Sequence, residues 1–121
     1  MVDERFPPPD LCPSEPLSQV VFIHDYLQLV FQSQCLSVYN LAKVERMGGT
    51  YTQGSSGFCD ALVGLIGSTV LRAHHNEKYK LILEFQNGNN FLVPAASEYV
   101  RGPEAFQFTG TDEYLVVEQN G

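Results

Sequence analysis

The chain has no tryptophan, few basic residues and no long apolar run. Only 7 of its 121 residues are Lys or Arg against 14 Asp and Glu, which gives a formal net charge of −7. Because such a chain repels a phosphate backbone, we expect no nucleic-acid partner. Its apolar runs, at residues 27–31 and 61–66, are far shorter than the roughly 20 residues that cross a bilayer, so we expect no membrane partner either.

Cysteine is also scarce, and its spacing excludes the usual cysteine-based frameworks. Cys12, Cys35 and Cys59 are an odd number without a C-x-x-C pair, so neither a disulfide scaffold nor a zinc site is indicated, and we expect no cofactor. No basic segment followed by an apolar stretch opens the chain, which makes a cytoplasmic location the expectation.

The proline content divides the chain into two parts. Residues 1–16 contain five of the seven prolines, which remove backbone donors, so we expect an arm without regular structure. Residues 17–121 have the length and apolar content of a single domain with one core.

An internal repeat is the most informative feature of this domain. Residues 18–38 align with residues 68–93, with the gaps in turns, and the aligned pairs include Phe31 with Phe85. In both copies apolar residues alternate with polar ones, which predicts three antiparallel strands per copy. Asn87-Gly88 supplies a tight turn between two strands of the second copy.

The remaining segments predict a loop, a helix and a closing hairpin. Gly48-Gly49 and residues 53–57 indicate a loop, and Ser56 is placed to cap a short helix from Gly57 to Ile66 that Gly67 ends. Residues 104–109 and 114–118 predict a hairpin. The predicted fold is therefore mainly β: duplicated three-stranded units form a sandwich or partly open barrel with one short helix.

Three segments of the second half resemble a known group of sequences. Leu65-Ile66-Gly67, the strand from Tyr79 to Phe85 with its Asn87-Gly88 turn, and residues 101–105 (RGPEA) are similar to small uncharacterised bacterial proteins. The resemblance implies no activity, cofactor or site residue.

The repeat also places histidines at equivalent strand ends. If these ends converge, imidazole and carboxylate groups meet in the combination that binds metal ions. The alternative is that they are solvated polar residues beside turns, and we favour this alternative. The candidate metal ligands are His24, Asp25, His74, His75 and Glu77.

Catalysis has little support in the sequence, whereas binding has more. Cys59 near a helix start is the best single nucleophile, but core packing explains it better. In the closing hairpin, Leu115 and Val117 are expected to face inward. The candidate interaction residues on the outer surface are therefore Tyr99, Tyr114 and Val116.

We therefore expect a non-catalytic module that binds another protein or a second copy of itself. The alternative is a binding protein for a small ligand or a metal ion, or an enzyme, that uses the His24 and His74 ends.

Overall fold

A computed structural model describes residues 13–110 and 115–120, which form ten strands and one short helix. This confirms the mainly β fold class. Residues 13–16 contain no helix or strand, and Ser97–Tyr99 form a 3₁₀ turn. The elements are β1 (Gln19–Phe22), β2 (Leu27–Phe31), β3 (Gln34–Val38), β4 (Lys43–Arg46), β5 (Gly49–Thr52), α1 (Phe58–Val63), β6 (Val70–His74), β7 (Tyr79–Phe85), β8 (Asn90–Pro94), β9 (Glu104–Thr109) and β10 (Leu115–Gln119).

The strands form two five-stranded antiparallel sheets that enclose one core. Sheet 1 has the order β1-β2-β3-β9-β10, and sheet 2 has the order β5-β4-β8-β7-β6. Each sheet is a three-stranded meander, β1–β3 or β6–β8, extended by a hairpin from the other half of the chain. Because β9–β10 joins β3 and β4–β5 joins β8, neither half completes a sheet by itself.

The two meanders have matching cross-strand pairs. Leu27 lies opposite Val38 in sheet 1, as Leu81 lies opposite Val93 in sheet 2. Phe31 and Phe85 end the second strand of their meanders, and their rings stack in the core with centroids 6.5 Å apart. Both are buried, since a period of two places every second residue of each strand inward.

Two sets of hydrogen bonds join the sheets at their ends. Where the meanders begin, the Leu17 amide donates to the Ser68 carbonyl (2.9 Å) and the Gly67 amide donates to the Leu17 carbonyl (2.8 Å). Where the chain leaves sheet 1 for sheet 2, the buried Asn40 amide group exchanges two hydrogen bonds with that of Asn120, at 2.9 and 2.8 Å. The Asn40 Nδ2 group also donates to the Pro94 carbonyl (3.0 Å).

The helix is shorter than predicted and is capped differently. It begins at Phe58 and ends at Val63, where turns follow. No side chain caps its first turn, so the predicted Ser56 cap is wrong. Gly57 has a φ of 90°, and a Cβ atom there would lie 2.9 Å from the Tyr51 ring. The backbone therefore requires glycine at the position before the helix.

A hairpin occupies part of the region that the sequence indicated as a loop. β4 and β5 pair from Lys43 opposite Thr52 to Arg46 opposite Gly49, and Gly48 provides the positive φ (91°) in the turn. Only Val44 is buried among the residues of β4. The strand therefore lacked an apolar alternation long enough to be recognised.

The facing predicted for Val116 in the closing hairpin is also wrong. Val116 lies opposite Phe108 and packs against the core, and Glu118 lies opposite Phe106 and forms an ion pair with Lys80 of sheet 2 (Nζ to Oε2, 3.3 Å). Residues 115–117 are all apolar, so the sequence alone did not determine which face points inward.

Candidate functional site

A cleft of about 510 Å³ opens at the end of sheet 1 where the β1–β2 turn lies close to the segments that follow β3 and β5. This volume is within the usual range for small-ligand sites. Its lining is mostly polar and comes from separate segments of the chain: His24, Asp25, Tyr39, Leu41, Gln53 and Arg101.

His24 and Asp25 form the two-residue turn between β1 and β2. The amides of Ile23 and Tyr26 donate to each other's carbonyl groups (2.9 and 3.3 Å) and close the hairpin below the turn. His24 Nε2 lies 3.6 Å from Asp25 Oδ1, and the side chains are 94% and 83% exposed. Because water screens an exposed pair strongly, both groups form a polar rim of the cleft and contribute little to stability.

Tyr39 connects the cleft to the outer surface of sheet 1. Burial raises the pKa of its hydroxyl group, and the charge of Glu104 raises it further. A hydrogen bond with Ser37 lowers this pKa in part, and the hydroxyl stays protonated at neutral pH. The Tyr39 ring lies against the ring of Tyr26, with centroids 5.2 Å apart.

Gln53 is held in place by two hydrogen bonds to one residue. Its side-chain Oε1 accepts from the Ala42 amide (2.9 Å), and its own amide donates to the Ala42 carbonyl (2.8 Å). This use of the carbonyl oxygen leaves the Nε2 donors of Gln53 for other partners.

Arg101 is a cation without an internal partner in the described chain. Within residues 13–110 and 115–120, its side chain makes no hydrogen bond or ion pair. It is exposed and lines the cleft. The sequence had not predicted Tyr39, Leu41, Gln53 or Arg101 as site residues, because only the fold brings their segments together.

The other candidate metal ligands belong to a different part of the molecule. His74 ends β6 in sheet 2, where its Nε2 lies 2.7 Å from Glu84 Oε2, and Arg72 also donates to that oxygen (2.9 Å). His75 and Glu77 follow on the exposed β6–β7 turn. Among the described residues, no three His, Cys, Asp or Glu side chains are grouped in a way that would hold a metal ion.

The two cysteines in the described residues occupy contrasting sites. Cys59 is exposed on α1, between the buried Phe58 and the exposed Asp60. Cys35 is half-buried in the middle of sheet 1, and burial raises the pKa of its thiol although a hydrogen bond with Ser37 lowers it in part. Cys12 lies outside the described residues.

The outer surface of sheet 1 carries no charged residue at nine adjacent positions, which we call the uncharged face. The positions follow from the strand register, since each is next to a residue that packs in or against the core. One row crosses all five strands and the other crosses four: Val21, Gln28, Ser37, Gln107 and Val117; then Gln19, Val30, Cys35 and Thr109.

Aromatic and hydroxyl groups border this face. The Tyr26–Tyr39 pair lies at its cleft end, and Gln28 Nε2 donates to Ser37 Oγ (3.1 Å) inside it. Of the predicted interaction residues, Tyr99 packs on its own chain, with Lys43 Nζ 4.5 Å from its ring centroid. Val116 packs against the core, and Tyr114 lies outside the described residues.

No family model, curated protein or solved structure shows a significant match to this chain. In the described part of the chain, no helix has both the length and the apolar character needed to span a bilayer.

Proposed function

We propose that this protein is a non-catalytic binding module that associates with a second copy of itself through the uncharged face. The observation that carries the proposal is the absence of charge at nine neighbouring outward positions in a chain with a net charge of −7. Charged residues are depleted at the centres of protein interfaces, where tyrosine is enriched.

Charge also favours a second copy as the partner. Two molecules of an acidic chain repel each other wherever their carboxylates meet. If two uncharged faces meet, none of the nine positions brings a carboxylate into the contact. Glutamine and threonine side chains supply both donors and acceptors, so the same face is complementary to itself across a twofold axis.

The size of the face predicts a weak, reversible dimer. Five strands at a spacing of about 4.8 Å span about 24 Å, and two rows of alternate residues span about 14 Å along the strands. The footprint is therefore about 300 Å² per copy, well below the roughly 800 Å² per partner of a standard stable interface.

Sedimentation velocity over a range of concentrations tests the proposal with a matched pair of variants. Gln107→Glu places one negative charge in the centre of the uncharged face, and Gln86→Glu places the same charge on the exposed β7–β8 turn. We expect the wild type and Gln86→Glu to dimerise equally, and Gln107→Glu to associate at least about tenfold more weakly, because like charges are then brought together.

Two results contradict the proposal. One is a wild-type protein that stays monomeric up to about 1 mM, because the binding free energy of the face would then be weaker than about −4 kcal/mol. The other is a dimer that both variants weaken to the same extent, because the cause would then be net charge and not the position on sheet 1. Thermal unfolding of each variant at low concentration verifies that the monomer is intact.

A further inference from the structure

We infer that the cleft beside the β1–β2 turn binds a small carboxylate with an apolar body. This site is separate from the centre of the uncharged face, and its ligand does not depend on dimerisation. A guanidinium group without a partner among the described residues, an oriented neutral donor and an apolar wall lie together within one cleft of about 510 Å³.

The unpaired state of Arg101 distinguishes it from most cations of the described chain. Arg72 and Lys80 pair with carboxylates, and Lys43 and Arg46 lie over tyrosine rings; only Lys78, on an exposed turn, is also unpaired. In a chain with twice as many acidic as basic residues, a free guanidinium at a cleft is a site for an external anion.

The remaining lining supplies neutral donors and apolar contact. The Gln53 Nε2 group is a donor, and the Ala42 hydrogen bonds fix its orientation. The Leu41 side chain and the Tyr39 ring provide apolar surface for the body of a ligand. Small-ligand sites commonly have this combination of a few placed polar groups and apolar walls.

The charge balance favours a carboxylate over a phosphate. A carboxylate has one charge and two coplanar oxygens, which can accept two parallel hydrogen bonds from one guanidinium group in a bidentate arrangement. A phosphate carries more negative charge and would lie near the Asp25 carboxylate, which also lines the cleft. The single Arg101 cation is therefore better matched to the monoanion.

Titration of the ¹⁵N-labelled full chain with benzoate, followed by ¹H–¹⁵N correlation NMR at low protein concentration, tests the inference. We expect saturable shifts of the Gln53 side-chain amide and the Gly102 backbone amide at millimolar benzoate. Neutral benzamide should give none, and inorganic phosphate should bind more weakly than benzoate. The other unpaired cation supplies a matched control in Lys78→Gln.

Arg101→Gln should weaken benzoate binding at least about tenfold, because it removes the charged donor of the hydrogen bonds to the carboxylate. Arg101→Lys should retain part of the affinity, and Lys78→Gln should leave it unchanged. The inference is wrong if benzoate causes no saturable shift at these residues, if benzamide binds equally well, or if the two glutamine variants behave alike. None of these results bears on dimerisation through the uncharged face.

Discussion

The two sheets have equivalent strand orders, but the outer face of one carries charged residues and that of the other does not. Two rows of five residues cross sheet 2, and four of these ten residues are charged: Lys43, Glu45, Arg72 and Glu84. The two rows on sheet 1 contain no charged residue at nine positions. The same architecture therefore presents one face with charged residues and one without, and the second is the face that we propose binds another copy.

The sheet 2 charges are also paired with each other or with neighbouring polar groups. Glu84 accepts from Arg72, and Glu45 Oε1 accepts from Asn90 Nδ2 at 2.8 Å. Such a network keeps a sheet face hydrated and resists stacking of a second sheet on it. The strand order therefore does not determine the charge of a sheet face, which depends on the outward residues.

The largest expected effect concerns the core pair that the two sheets share. Phe31→Ala and Phe85→Ala should each lower the free energy of unfolding by about 3–5 kcal/mol, because each leaves a cavity between the sheets. Their double mutant should show coupling of about 0.5–1.5 kcal/mol. Urea denaturation measures all three variants, and the half-exposed Phe22→Ala is the control. An unchanged midpoint for either core variant would contradict the equivalence of the two positions.

The junction between the sheets should be the next most sensitive site. Asn40→Ala leaves the Asn120 amide and the Pro94 carbonyl without their buried partner, so we expect a loss of about 1–3 kcal/mol in the free energy of unfolding. Asn90→Ala removes the exposed hydrogen bond to Glu45 on sheet 2 and should lower the free energy of unfolding much less. Equal denaturation midpoints for the two variants would show that the Asn40–Asn120 pair does not hold the sheets together.

The charged face of sheet 2 should contribute little to stability. The Arg72 and Glu84 side chains are 66% and 35% exposed, so water screens their attraction. Arg72→Ala should therefore lower the free energy of unfolding by only about 0.2–1 kcal/mol, and the difference should shrink in about 1 M salt. A larger loss, or one that salt does not change, would mean that Arg72 acts through packing instead.

The smallest effect is a difference in thiol reactivity that reports on the uncharged face. Burial raises the pKa of Cys35, so less thiolate is present at a given pH and iodoacetamide should modify it more slowly than the exposed Cys59. Raising the pH should narrow the difference, because the thiolate fraction of Cys35 then increases. Peptide mapping by mass spectrometry measures both rates.

The same measurement separates monomer from dimer. As protein concentration rises, a dimer through sheet 1 should slow the modification of Cys35 and leave Cys59 unchanged. Equal rates for the two thiols in dilute protein would contradict the burial of Cys35. A constant ratio across the dimerisation range would contradict its position in the interface.

Most strands and the fold class could be predicted from the sequence, because both depend on local alternation of apolar and polar residues. The Tyr79 to Phe85 strand was predicted with its observed bounds, since its long apolar alternation and Asn87-Gly88 turn are local signals. Phe106 and Phe108 are buried at alternate positions of β9, which is the same period of two. By contrast, β4 has a single buried residue, so its apolar pattern was too weak to predict a strand.

Strand neighbours could be identified only in the folded chain, and they determine which residues lie together at a surface or a site. The pairing of β9 with β3 places Gln107 beside Ser37 and creates the uncharged face from residues 70 positions apart. The pairing of β10 with β9 turned Val116 toward the core. The cleft likewise gathers Asp25, Gln53 and Arg101 from distant segments. Register and long-range pairing depend on how two apolar faces are buried together, and no local pattern in one strand contains that information.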